Sequence, residues 1–309
     1  MQKKEIIFDS RDGETKIHAI RWIPDGEVKG VIQIIHGMAE HIGRYEHVAK
    51  FFTDRGFVVT GDDHLGHGQT AVSSNGVFGY FCKQDPATVV VRDVHRLKKL
   101  TEKDYPGVPY FIWGHSMGSF ILRNYMFKYG SGIKGAIVCG TGSQPKAVVK
   151  FGLFLSNLQA LFLGDKHIAT MINAIAFGDP KKAEPGHVND WLCTDPEEVK
   201  KYDADPWCGN TFTVNGFKTL FTLIDRLNTK ANVLKMPKDL PVFIISGSED
   251  TVGDCGPGVK KVKDEYDSIG MKDVTMKLYE GYRHEIMNEP IREEVFNDIL
   301  NWVTKRMDA

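Results

Sequence analysis

The 309-residue sequence predicts an α/β fold: a mostly parallel central sheet flanked by helices, with one helical insertion. Three observations predict it. Short apolar or β-branched runs, such as Val31-Ile32-Gln33-Ile34-Ile35 and Gly135-Ala136-Ile137-Val138-Cys139, alternate with longer segments of helical apolar spacing. That is the order of a sheet covered on both faces. The stretch Tyr110 to Gly118, YFIWGHSMG, joins an apolar strand directly to a glycine-flanked serine and a helix. The alternation stops between about 143 and 235, where only helical spacing is found, and then resumes.

Taken in order, residues 5–8 read as a short strand, Arg11-Asp12-Gly13 as a turn, and 16–22 as a second strand. Pro24-Asp25-Gly26 turns the chain again into the β-branched run at 31–35. Two successive hairpins are therefore expected at an antiparallel edge. A helix over 44–55 is stopped by Gly56, and 57–60 is a strand. Asp85-Pro86 starts a helix, with Asp85 as N-cap and proline at the first helical position. Val90, Val91, Val94, Leu97 and Leu100 mark its buried face. After the serine, Phe120, Ile121, Tyr125 and Met126 share one helical face, and Gly130 stands at the C-cap position. Beyond the insertion, 241–246 is a strand, 258–269 a helix, 274–279 a strand and 291–306 an amphipathic helix. The expected domains are a core of residues 1–142 and 236–309 and a helical cap, or lid, of residues 143–235. The cap carries Phe151, Phe154, Leu155, Leu158, Leu161 and Phe162, then Met171, Ile172 and Ile175, with Pro180, Pro185, Pro196 and Pro206.

Composition narrows the class. With 42% hydrophobic and 26% charged residues, the chain can bury a large core. A net charge of −1 gives no basis for nucleic-acid binding or for electrostatic attachment to a membrane. The five cysteines (82, 139, 193, 208, 255) are scattered without a C-x-x-C pair, so neither a disulfide framework nor a zinc knuckle is expected. The first residues hold no long apolar run, and no segment reaches the ~20 apolar residues of a membrane span. A cytoplasmic protein in a reducing compartment is expected; its oligomeric state is not specified.

The chemistry follows from Gly114-His115-Ser116-Met117-Gly118, a G-x-S-x-G pentapeptide between strand and helix. A serine held on such a tight turn adopts strained backbone angles, and flanking glycines remove the Cβ atoms that would clash. Its hydroxyl is a weak nucleophile at neutral pH and needs a base. On sheets of this kind the order is serine, acid, histidine. After His187 the chain has a single histidine, His284, just beyond the last predicted strand. Loops at carboxyl strand ends are where such sheets bind ligands. The preceding strand ends in Gly247-Ser248-Glu249-Asp250, which makes Asp250 the expected acid, with Glu249 second. An oxyanion hole requires two backbone donors. The expected ones are the N–H of Met117, after the serine, and that of Met38, in His36-Gly37-Met38 after the third strand.

Together these segments resemble the monoacylglycerol lipase and lysophospholipase branch of the α/β-hydrolases. His36-Gly37-Met38-Ala39-Glu40-His41 with Arg44-Tyr45 is similar to its H-G-x-x-E-H-x-x-R-Y segment, and Asp63 to Gly68 to its D-x-x-G-H-G turn. G-H-S-M-G and the segments 247–250 and 279–284 match its elbow, acid and histidine regions. The resemblance implies an α/β-hydrolase fold and a serine hydrolase that cleaves carboxylic esters through an acyl-enzyme. It implies no cofactor and no metal; His36/Glu40/His41 and Asp63/His64/His67 lack the spacing or helix a metal motif needs. The cap residues Phe151, Phe154, Leu158 and Phe162 are expected to wall an acyl-chain pocket, and the cap to touch a lipid surface transiently. The alternatives are an esterase for soluble aromatic or short-chain esters, an aminopeptidase or thioesterase, and a non-catalytic binding protein on this fold.

Overall fold

The computed structural model describes residues 1–74, 76–178 and 188–307. Within them eight strands form one sheet: β1 (Gln2–Asp9), β2 (Lys16–Ile23), β3 (Gly30–Ile35), β4 (Phe57–Asp62), β5 (Tyr110–His115), β6 (Gly135–Cys139), β7 (Val242–Gly247) and β8 (Val274–Tyr279). Their order is β1-β2-β4-β3-β5-β6-β7-β8. The β1–β2 and β2–β4 pairs are antiparallel, and every other pair is parallel. The first expected hairpin forms. The second does not, because β2 pairs with β4. β3 is buried along its whole length and takes an interior place between β4 and β5, so the chain crosses over β4 before entering it.

The helices are α1 (Glu46–Thr53), α2 (Gly68–Ser73), α3 (Pro86–Asp104), α4 (Met117–Tyr129), α5 (Lys146–Leu163), α6 (Thr170–Phe177), α7 (Pro196–Ala204), α8 (Val214–Leu227), α9 (Lys230–Val233), α10 (Pro257–Ser268) and α11 (Arg292–Thr304). They cover both faces of the sheet, and β5 shows how. Tyr110 and Ile112 enter a core with Val94 of α3, Ile121 of α4 and Val262 of α10. Phe111 and Trp113 enter a second core with Phe52 of α1 and Phe296 and Trp302 of α11. A strand apolar at every position is what a doubly covered sheet requires.

Asp85 and Gly130 stand at the expected N-cap and C-cap positions, but neither caps in the expected way. Asp85 adopts φ 42° and its side chain makes no capping bond; it accepts from Arg226 at 2.9 Å instead, which ties α3 to α8. Gly130 follows α4 with φ −60°, so it is not a left-handed cap. Its lack of a side chain leaves room for Pro237.

Between β6 and β7 the described chain is helical, from α5 to α9. Pro180 and Pro185 lie outside the described residues. Pro196 opens α7, where the Asp195 carboxylate caps the Glu197 N–H at 2.9 Å. On α5 the buried positions are Val149, Gly152 and Ser156, and Gly152 lies against Phe221 of α8. The residues expected to wall a pocket stand exposed instead: Phe151 55%, Phe154 61%, Leu158 42% and Phe162 74%. α5 packs through its small residues, so its large ones are left on the surface. No segment reaches ~20 apolar residues, but the 18-residue α5 is long and apolar enough to cross a membrane by length and composition alone.

The tightest approach in the fold is at the start of α4. A Cβ built on Gly118 would lie 2.0 Å from the Ile35 carbonyl oxygen and 2.6 Å from that of His36. Gly118→Ala is expected to destabilise the fold by about 1–3 kcal/mol or more, because the obstacle is backbone. An unchanged denaturant midpoint for this variant would contradict that close approach.

Candidate active site

Four loops at the carboxyl ends of β3, β5, β7 and β8 bring the sequence-predicted residues to one edge of the sheet. Ser116 leaves β5 with φ 55° and ψ −123°, a conformation rare for a residue with a side chain. Its N–H donates to the Cys139 carbonyl at 3.0 Å, and its carbonyl accepts the Ser119 N–H at 2.8 Å. Ser116 is half-buried, at the mouth of α4. Gly37 leaves space for it, since a Cβ there would meet Ser116 Cβ at 3.0 Å and Glu40 Oε1 at 2.7 Å.

His284 Nδ1 donates to Asp250 Oδ1 at 2.8 Å, and both side chains are buried. Asp250 is fixed from three sides. Its Oδ2 accepts the Ser246 hydroxyl at 2.7 Å, and its Oδ1 accepts the Val252 N–H at 2.9 Å. Glu249 is exposed, and its N–H serves the Tyr282 carbonyl, so the geometry pairs the histidine with Asp250 alone. His284 Nε2 is buried and has no hydrogen-bond partner. The serine–histidine hydrogen bond is therefore not made in this structure; such bonds are often long before substrate binds. Ser116 follows His115, whose ring lies 4.7 Å from that of His284.

Burial disfavours the charged forms of both groups, but their mutual attraction and hydrogen bonds prevail. The Asp250 carboxyl is held below its ordinary range, and the His284 imidazole is held above its own. Among the described residues, the N–H groups of Met38 and Met117 donate to no protein acceptor. They follow the β3 exit and open α4, and both are available to an oxyanion.

Several other histidines serve the loops. His36 Nδ1 donates to the Gly37 carbonyl at 2.8 Å, and its Nε2 accepts the His64 N–H at 3.1 Å. The His36 and His64 rings stack at 4.0 Å. Burial pushes His36 down to about 4 and His67 well below its usual value, so both are neutral struts near neutral pH. Asp63 accepts the N–H groups of Ile42 and Gln69, each at 2.9 Å, and His18 Nδ1 at 2.8 Å. Among the described residues one group of His, Asp and Cys brings three donor atoms within 4.8 Å of one another: His41, Asp205 and Cys208. Burial raises the Cys208 thiol, and the Arg44 guanidinium exerts its field on it, a setting hostile to a cation. Its chemistry is that of a latch, with His41 Nε2 2.9 Å from Asp205 Oδ2.

The sequence reading missed the seam between the helical insertion and the histidine loop. The Glu285 N–H donates to the Leu192 carbonyl at 2.7 Å, and Arg283 Nη1 to the Asp190 carbonyl at 2.7 Å. Buried Glu289 accepts the N–H groups of Arg283 at 2.8 Å and Thr194 at 3.0 Å. The Trp191 ring lies 5.0 Å from that of His284. Nothing in residue spacing signals these contacts; only the adjacency of Glu285 to the histidine offered a hint.

Residues 26–291 match the family described as serine aminopeptidase, S33. The chain belongs to this family of α/β-hydrolases. It is 27% identical to a monoacylglycerol lipase of Mycolicibacterium smegmatis, over 93% of this chain and 92% of that one. It is 28% identical to the human monoglyceride lipase, over 92% of this chain and 86% of that one. Among solved structures it superposes on a thermostable carboxyl esterase from Bacillus coagulans in complex with glycerol, with TM-score 0.89, 30% identity and 99% of each chain covered. A soluble variant of the monoglyceride lipase from Saccharomyces cerevisiae shares the fold, with TM-score 0.78 and 22% identity, over 99% of this chain and 96% of that one.

Asp250→Asn is expected to lower kcat by about 10⁴ on a soluble ester. The acid limb of kcat/KM should move to lower pH, because the carboxylate that raises the His284 pKa is gone. Glu249→Gln should change kcat less than about twofold. Equal losses for the two variants in a stopped or continuous ester assay would contradict the pairing seen here.

Proposed function

We propose that this protein hydrolyses monoacylglycerols or lysophospholipids, with Ser116 as nucleophile, His284 as base and Asp250 as the acid that orients it. The chain is a carboxylic ester hydrolase of the monoglyceride lipase branch. The observation that carries the substrate class is an apolar surface on the helical insertion. Leu161, 77% exposed, and Ile175, 61% exposed, extend the surface of Phe151, Phe154 and Phe162 across α5 and α6. An unpartnered apolar face of this size suits a lipid interface better than water. Residues 143–235 act as the cap.

In the proposed cycle, Ser116 Oγ attacks the ester carbonyl carbon while its proton passes to His284 Nε2. The Met38 and Met117 N–H groups hold the oxyanion, and Asp250 stabilises the imidazolium. Collapse breaks the carbon–oxygen bond of the leaving alcohol, which takes the proton from His284. Water, deprotonated by His284, then attacks the acyl carbon; the bond to Ser116 Oγ breaks, the serine takes the proton back from His284, and the acid leaves.

The second reading is an esterase for soluble esters, supported by the likeness to the Bacillus coagulans carboxyl esterase. Aminopeptidase chemistry finds less support, because relatives matched over most of the chain are named as lipases.

Wild type and Ser116→Ala should be compared on p-nitrophenyl esters of several acyl lengths, monoacylglycerol, lysophosphatidylcholine and an aminoacyl amide. Monoacylglycerol or lysophospholipid turnover abolished in Ser116→Ala is the expected result. Cleavage confined to short soluble esters would favour the second reading. Independently, Phe154→Ser with Phe162→Ser should weaken sedimentation with phosphatidylcholine vesicles at least about tenfold, while soluble-ester kcat stays within about twofold. Equal vesicle binding by this variant would remove the surface role.

A further inference from the structure

Behind the histidine lies a second set of buried charges that the proposed cycle does not use. Glu40 follows the turn bearing Met38. Its Oε1 accepts the Gly37 N–H at 2.5 Å and the Tyr45 hydroxyl at 3.0 Å, and its Oε2 accepts Arg44 Nη1 at 2.7 Å. Arg44 also forks onto Glu285, with Nη1 to Oε1 and Nη2 to Oε2 both at 2.7 Å. Oε2 of Glu285 also accepts from Asn288 Nδ2 at 2.7 Å. His115 completes the circuit, its Nδ1 3.3 Å from Glu40 Oε1 and its Nε2 3.3 Å from the His284 carbonyl oxygen. Glu40 and Glu285 are each 3% exposed.

We propose that Glu40, Arg44 and Glu285 form a yoke of positioning residues: Glu40 sets the oxyanion-loop peptide, Glu285 sets the histidine loop, and Arg44 holds the two in register. This rests on the triad reading above. Three reasons support it. First, the Gly37 N–H bonded by Glu40 belongs to the residue just before Met38, so the bond fixes the orientation from which the Met38 N–H projects. Second, Glu285 adjoins His284, and its fork on Arg44 spans 241 residues of sequence. A planar bidentate pair restrains both position and angle, which a single contact does not. Third, a buried ion pair contributes little net stability compared with apolar packing, so its yield here is geometry. Two carboxylates against one guanidinium also leave negative charge near His284, in addition to Asp250. Burial opposes ionisation of both carboxyls, but His115 and Arg44 hold Glu40 well below the ordinary range, and Arg44 holds Glu285 below it.

The test uses the full chain with a soluble p-nitrophenyl ester. Glu285→Gln and Glu40→Gln keep shape and lose charge; Arg44→Lys keeps charge and loses the fork. The folded fraction is read by circular dichroism and melting, and competent serine by titration with a fluorophosphonate. The expected result is a loss of about 10–100-fold in kcat with KM within about threefold, for all three. Glu285→Gln and Glu40→Gln should in addition move the acid limb of kcat/KM to lower pH, since each carboxylate raises the His284 pKa alongside Asp250 and against burial. Arg44→Lys serves if either Gln variant fails to fold. Folded variants with kcat within twofold and an unmoved acid limb would overturn the yoke. Activity surviving in Ser116→Ala would instead overturn the triad reading, and the two failures are distinguishable.

Discussion

A single missing side chain sets the geometry at the carboxyl edge of the sheet. Gly118 lets the first turn of α4 rest on the carbonyl oxygens of Ile35 and His36, where any Cβ would clash. The same contact holds Ser116 at φ 55° and joins the exit of β3 to the start of α4. The Met38 and Met117 N–H groups therefore project from two elements locked by backbone. Fixed donors do not have to reorient when charge develops, which is the source of electrostatic catalysis in preorganised sites. The strain at Ser116 is compensated by bonds to Cys139 and Ser119 and by the helix that follows.

The edge so formed is rich in buried charge. Asp250, His284, Glu40, Glu285 and Glu289 are each less than 4% exposed. Isolated, such groups would lose ionisation or unfold the site. Here each carboxylate has two or more donors: Asp250 from His284, Ser246 and Val252; Glu285 from Arg44 and Asn288; Glu289 from Arg283 and Thr194. The exception is the histidine nitrogen Nε2, left without a partner. His64 Nε2 and His67 Nε2 in the neighbouring loop are likewise buried without a partner. The buried histidines His36 and His67 follow the opposite logic: burial keeps them neutral, and they brace the loop without adding charge.

Much of this was legible in the sequence. The elbow, the single late histidine and the acid after β7 announce themselves because chemistry restricts residue type and order. Strands such as β5 announce burial because every position is apolar. What failed to show is equally physical. The β-branched run at 31–35 states that a strand is buried, not which neighbour it takes, so the second hairpin was misplaced. Helical spacing on α5 marks an apolar stripe, but the packed side is made of Val149, Gly152 and Ser156, the last two of which a search for large apolar residues passes over. Asp85 carries the right residue for a cap and is drawn to Arg226 instead. Adjacent Glu249 and Asp250 differ only in which side of the chain they face, and that is set by Ser246 and Val252. Arg44 and Glu285 meet across the whole chain, and no local pattern encodes the meeting.

The family description mentions an aminopeptidase and the relatives are named as lipases, yet both fit one edge of one sheet. The reconciliation lies in where the bond is chosen. A serine, a histidine, a carboxylate and two N–H groups serve any acyl transfer, so they cannot discriminate ester from amide. Discrimination must come from what seats the alcohol and the acyl chain, and here the proposed cap is not a passive cover. Its segment 190–194 is bonded to the histidine loop through Glu285, Arg283 and Glu289, and Trp191 packs against the His284 ring. Tyr202 and Gly209 both donate to the Ala39 carbonyl, beside Met38. The helical insertion is thus bonded both to the loop bearing His284 and to the loop bearing Met38. The same few hydrogen bonds therefore join the insertion to both loops at the carboxyl edge of the sheet.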